Sequence, residues 1–97
     1  MNANILEHKD VQFFKFETLS TSNSQNEFRL SGLAFHSALC VSDIIQKKHQ
    51  NEIQIVIYLV KCKKGFSGRF DYCFTVSQDI ETITFGNIRT VIWSKGM

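Results

Sequence analysis

The sequence predicts an all-β protein, a small antiparallel sandwich or barrel of six to seven strands. Three observations carry this reading. Proline is absent, while nine Phe, two Tyr and one Trp stand among 97 residues, with Ile, Val and Thr throughout; such side chains suit a pleated, half-buried surface better than a helix. Residues 69–76 alternate strictly, with Phe70, Tyr72, Phe74 and Val76 on one face and Arg69, Asp71, Cys73 and Thr75 on the other, a period of two that helical spacing cannot produce. Turn signals separate short apolar runs at about 8–12-residue spacing, the grammar of a sandwich or barrel. A chain this short buries only about 60–65% of its unfolded surface and builds one core, so residues 1–97 read as a single domain.

Val11–Thr18 and Glu27–Phe35 are the first two strands, joined by the polar connection Leu19–Asn26. Leu39–Lys48 places apolar residues at 39, 41, 44 and 45, and His49-Gln50-Asn51-Glu52 supplies a polar turn. A strand here forms a long hairpin with the next segment; a short helix over 42–50 is the rival reading. Ile53–Cys62 is apolar on both faces, with Ile53, Ile55, Ile57 and Leu59 on one and Val56, Tyr58 and Val60 on the other, as expected of a central strand. Residues 63–68 form the loop before the strand at 69–76. Phe85-Gly86-Asn87-Ile88 predicts a two-residue turn between Glu81–Phe85 and Ile88–Trp93, with Phe85 beside Ile88 and Ile80 beside Trp93. Lys47, Lys48, Lys61, Lys63 and Lys64 fall near strand ends, where charge guards exposed sheet edges.

Hydrophobic residues at 43% and charged residues at 21% exclude collagenous and acidic disordered chains. The most apolar run, Ile53–Val60, falls short of the about 20 residues a membrane-spanning helix needs. Met1–Asp10 lacks the apolar run of a secretory signal. Cys40, Cys62 and Cys73 form an odd set with no C-x-x-C pair. We read them as reduced, mostly buried thiols of a cytoplasmic protein. A hairpin turning at Gln50-Asn51 sets Cys40 and Cys62 roughly opposite one another, and directly cross-strand pairs make strained disulfides.

No constellation in the residues spells out a reaction. His8, His36 and His49 are scattered; His36-Ser37 with Asp43 is the kind of trio that chance supplies, and a nucleophile, base and orienting group need a firmer arrangement. Zinc ligands occur at tight spacings that are missing here. Gly65 and Gly68 flank a hairpin loop instead of opening a helix that cradles phosphate. The expectation is a non-enzymatic chain with no catalytic residues, no cofactor and no metal. The net charge of +2 is too small to imply a nucleic-acid partner by itself. Even so, Lys61, Lys63, Lys64 and Arg69 surround Phe66, the combination of cations and aromatic platform that binds single strands.

One further pattern lies in the C-terminal third. It runs Gly65-Phe66-Ser67-Gly68-Arg69-Phe70, Phe74-x-Val76, Asp79-Ile80-x-x-Ile83-x-Phe85-Gly86 and Val91-Ile92-Trp93. This order resembles small bacterial immunity proteins encoded beside polymorphic toxins of the contact-dependent inhibition type. The resemblance implies a cytoplasmic, non-enzymatic protein that binds and occludes one cognate toxin, and it carries over no contact residue. Lys63, Lys64, Phe66 and Arg69 are the candidate partner contacts, Phe66 as the aromatic anchor. Two other readings stand beside it: a small nucleic-acid-binding barrel using the 63–69 loop, and a module that pairs edge strands with its own copy.

Overall fold

A computed structural model describes residues 4–22, 24–34, 38–62, 64–65 and 67–96. Among them the chain forms eight strands: β1 (Asn4–Ile5), β2 (Val11–Thr21), β3 (Gln25–Ala34), β4 (Leu39–His49), β5 (Glu52–Lys61), β6 (Arg69–Ser77), β7 (Thr82–Phe85) and β8 (Thr90–Ser94), with one 3-10 turn at His8–Asp10. The all-β expectation holds, and the architecture is a two-sheet sandwich. β2, β3 and β6 make a small antiparallel sheet with β3 in the middle. The large sheet is organised by β5. β4 pairs along one of its edges, β1 and β7 share the other, and β8 continues beyond β7. The β5–β7 pair is parallel, Ile53 facing Ile83 and Ile55 facing Phe85; the other pairs are antiparallel.

The core lies between the sheets, where the sequence alternation placed it. Phe70, Phe74 and Val76 are buried on β6, Phe28 and Leu30 on β3, and Ile53, Ile55, Ile57 and Leu59 on β5. Phe28 is fully buried, with Phe16, Phe74 and Trp93 ring centroids at 5.2, 5.8 and 5.0 Å. The second apolar face of β5 points away from this core. Val56 and Gln54 are nevertheless buried there, because neighbours flank β5 on both edges. The Gln54 amide donates to the Gly86 carbonyl (2.8 Å), and its oxygen meets His49 Nε2 (2.8 Å).

The segment 42–50 is strand, which removes the helical alternative. Leu39, Val41 and Ile44 pack toward the core, and β4 is an edge strand carrying Lys47 and Lys48, so charge guards that edge. Two cross-sheet contacts tie β4 to the β6 side: Gln46 Nε2 donates to Tyr72 Oη (2.9 Å), and Lys48 meets Asp79 (3.9 Å). With the Val41 amide donating to the Ser67 carbonyl (2.9 Å), they close the sandwich along this side.

The structure corrects three local expectations. The polar stretch at Leu19–Asn26 is mostly strand, since β2 runs to Thr21 and β3 begins at Gln25; Ser22 and Gln25 hydrogen-bond one another across the short turn. The β7–β8 turn holds four residues, Gly86–Arg89, so Phe85 faces Thr90 and Ile83 faces Trp93. Here Glu7 decides the geometry. Its carboxylate accepts the amides of Asn87 (2.9 Å) and Ile88 (3.1 Å), and Gly86 at φ +81° leaves no room for a side chain against that carboxylate.

The third correction concerns the thiols. Cys40 and Cys62 form a disulfide with Cα atoms 4.9 Å apart, within the usual bridging range, and Cys73 is free and exposed instead of buried. The physical reason is a bulge. From His49 to Asp43 the β4–β5 register keeps Asp43 against Tyr58, but past Ser42 it slips one residue, so Val41 faces Leu59 and Cys40 faces Val60. Cys62 lies two residues beyond Val60 and therefore on the same face as Cys40. Without the slip Cys40 would face Lys61, with Cys62 pointing to the opposite side. The expected directly opposed, strained pair never arises.

The β7–β8 hairpin is anchored to β5 by an ion pair with a pH signature. Arg89 grips Glu52 through Nε (2.9 Å) and Nη2 (2.6 Å), and the Thr84 hydroxyl donates to the same carboxylate (2.6 Å). The Arg89 hydrogen bonds, with help from Thr84, hold the Glu52 carboxyl below its ordinary 4.5. A depressed folded-state value contributes stability above the unfolded value and loses it as pH falls through the folded one. Melting temperature is thus expected to fall as pH drops below about 4.5, and more steeply for the natural chain than for Glu52→Gln. Parallel acid profiles of the two proteins would refute this assignment.

Candidate interaction surface

The outer face of the small sheet carries the most exposed large hydrophobic side chain among the described residues. β2 bulges between Gln12 and Lys15, and there Phe13 adopts φ 57° with 81% of its surface exposed. A bulky residue in the left-handed region is a genuine outlier costing roughly 1–2 kcal/mol. The bulge has a local cause. Val11 faces Ala34 on the core side, and Phe16 faces Leu30 on the same side, so the five steps from Val11 to Phe16 oppose four on β3 and one residue is extruded. Phe14 turns inward, against His8 (4.7 Å) and Phe85 (5.7 Å). Phe13 is the residue left outside.

Around Phe13 lies a shallow concavity of about 260 Å3, lined by Arg29, Ser31, Leu33, Arg69 and Asp71 among others. Arg29 and Asp71 neutralise one another: Nε donates to Oδ1 at 2.8 Å, and Nη2 bonds Oδ2. The arginine holds the Asp71 carboxyl below its usual range. Arg69, opposite Leu33 on the neighbouring strand, makes no ion pair with a described residue. The patch therefore offers an aromatic ring, an aliphatic side chain and a guanidinium with no ion-pair partner among the described residues, the composition of a protein–protein hot spot.

Of the four contacts expected from sequence, Arg69 belongs to this patch. Lys64 is exposed on the loop between β5 and β6. Lys63 and Phe66 lie outside the described residues, as do His36 and Ser37 of the imagined trio. Phe13 was missed: the doublet Phe13-Phe14 breaks the two-residue period between Val11 and Phe16, but which of the two rings is extruded is decided by the register with β3. Glu52 serves Arg89, and Asp79 meets Lys48 and Ser77. Among the described residues no group of three or more His, Cys, Asp or Glu side chains is arranged to hold a metal ion, and no helix is long and apolar enough to cross a membrane.

No protein-family model matches this chain, and neither a curated protein nor a solved structure does so.

Proposed function

We propose that this chain is a non-enzymatic protein-binding domain that neutralises a cognate bacterial toxin by occluding it, as the resemblance of its C-terminal third implies. The observation that carries the binding role is Phe13. Backbone strain kept at an exposed aromatic residue gains nothing within the fold, so its use is sought in a partner. Phe13 is the anchor, and Arg69, Leu33 and Lys64 extend the contact. The disulfide changes the expected setting. Cytosolic thiols are kept reduced, so a Cys40–Cys62 bridge favours an oxidising compartment over the cytoplasm. Neutralisation there requires the toxin to be met during its passage or secretion.

Two measurements test this reading. In the isolated protein, Phe13→Gly is expected to leave stability unchanged or raise it by up to about 1 kcal/mol, because relief of the left-handed strain offsets the added chain entropy; a loss of several kcal/mol would mean that Phe13 is structural. For function, the chain is co-expressed with the product of the gene immediately upstream. Protection is expected from the natural chain, with binding weakened about 30-fold or more by Phe13→Asn, the loss of one hot spot. An upstream product that is harmless alone, or toxic despite this chain, overturns the toxin assignment. Oligonucleotide binding that falls steeply with salt would move the nucleic-acid reading ahead of it.

A further inference from the structure

Where the β2–β3 turn meets the end of β8, a cleft of about 490 Å3 opens between the two sheets, a size within the roughly 300–1,000 Å3 of sites that hold small organic ligands. Trp93 borders it from the large sheet, Thr18, Thr21 and Asn26 border it from the small one, and Gln78 does so just past β6. Asn26 is buried, at 5% exposure, and a chain of hydrogen bonds fixes how its amide points. Gln78 Nε2 donates to the Ser22 carbonyl, which marks that atom as nitrogen, and it also donates to Asn26 Oδ1 (3.1 Å). Asn26 therefore turns its oxygen to Gln78 and its Nδ2 group away. That Nδ2 donor has no hydrogen-bond partner among the described residues. Yet among them no buried side-chain nitrogen or oxygen is sealed in without a partner, so the donor opens onto the cleft that Asn26 lines. Gln78 Oε1 and the hydroxyls of Thr18 and Thr21, which line it too, also make no hydrogen bond to a described residue.

We infer that this cleft binds a neutral pyranose sugar unit. A pyranose ring has a face of C–H bonds that lies well on an indole, and a rim of hydroxyls that each donate and accept. The cleft holds the matching set. Trp93 is half-buried, with Phe28 against it at a centroid distance of 5.0 Å, and the surface left uncovered borders the cleft. Asn26 Nδ2 supplies a donor and Gln78 Oε1 an acceptor, while the two threonine hydroxyls serve as either. Among the described residues Lys95 is the one charged side chain lining the cleft; it stands exposed at the rim, its ammonium on the Gln78 carbonyl. Recognition therefore falls to neutral groups, and a phosphate chain finds no cluster of cations to track. The groups left without partners are side chains, so nothing here depends on strand pairing. The cleft lies on the inner side of the small sheet and Phe13 on the outer, and the test below does not depend on the toxin assignment.

Trp93 is the sole tryptophan and borders the cleft, so its emission reports occupancy directly. The intact protein is titrated with maltotriose, cellotriose and chitotriose, each up to about 10 mM. Uridine, a neutral ring that also stacks on indole, and the trimer of galacturonic acid are run beside them. A saturable change in emission is expected with at least one neutral trisaccharide. Thr18→Val and Thr21→Val, which remove a hydroxyl from an exposed position and keep its shape, should each weaken that binding about threefold to tenfold. Phe13→Asn should bind as the natural chain does. No saturable change with any of the three trisaccharides would overturn the inference. So would undiminished binding by both valine variants, or tighter binding of uridine or the galacturonate trimer than of every neutral trisaccharide.

Discussion

Phe28→Ala is expected to remove about 3–5 kcal/mol of folding stability, the cost of a large cavity in a core that cannot collapse around it. Phe28 has no exposed surface and stands among Phe16, Phe74 and Trp93 at centroid distances of 5.0–5.8 Å. Three rings from both sheets would therefore lose the same partner. Edge and offset contacts of this kind are worth about 0.5–1.5 kcal/mol beyond area burial, so the loss should fall in the upper part of the range. A domain of this size has only about 5–15 kcal/mol in total. Phe74→Ala, at 6% exposure on the neighbouring strand, should behave alike, whereas Leu19→Ala at the exposed second bulge of β2 should stay within about 0.5 kcal/mol. Urea unfolding of the three variants at one pH decides the matter. A loss below about 1.5 kcal/mol for Phe28→Ala would show that the aromatic cluster is not the centre of the core.

Reducing the disulfide, or replacing Cys40 and Cys62 together with Ser, is expected to cost about 3 kcal/mol, the chain entropy regained by freeing a loop with a sequence separation of 22 residues. The bridge clamps the open end of the β4–β5 hairpin, where Leu39 and Val41 reach the core and the chain leaves β5 for β6. Two measurements follow. Denatured but unreduced protein should expose one alkylatable thiol, that of Cys73, and full reduction should expose all three. Thermal unfolding should shift down on reduction in the natural chain and stay put in the double Ser variant. Three reactive thiols without reductant would remove the bridge, and with it the argument for an oxidising compartment.

How far the sequence foretells this fold depends on whether a feature is periodic or relational. β6 was legible because four inward and four outward residues alternate without a break. β5 announced itself as central because both of its faces are apolar. The segment 42–50 was ambiguous because Ile44 and Ile45 are adjacent. That doublet arises where the bulge at Ser42 carries Val41 and Ile44 to the same side, leaving Ile45 to face outward beside Val56. The Phe13-Phe14 doublet hides the bulge of β2 in the same way. A one-residue slip leaves composition untouched and reverses which face each residue occupies, so it escapes any reading by period alone. The thiols failed for a related reason: whether Cys40 and Cys62 can meet is fixed by that slip. The Gly86–Arg89 turn was found as a turn, but its length is set by the carboxylate of Glu7, far away in sequence. Of the residues lining the concavity around Phe13, Arg69 was singled out from charge and position, while Phe13 itself needed the register.

The sharing of one β5 edge by β1 and β7 also bears on how the chain reaches its native state. Asn4 must find Leu59, and Thr82 must pair in parallel with Glu52, so neither partner of that edge is delivered by a local hairpin. The β2–β3 and β4–β5 hairpins can form early from neighbouring sequence, but β5 then waits with one long apolar edge unsatisfied until both remote segments arrive. Loop closure of this kind places folding in the millisecond-to-second regime typical of non-local β proteins. During that interval the exposed edge of β5 is the part of the chain most open to intermolecular strand pairing. Refolding yield should consequently fall with protein concentration, and an early-forming Cys40–Cys62 bridge would hold β4 on β5 while the second edge is completed.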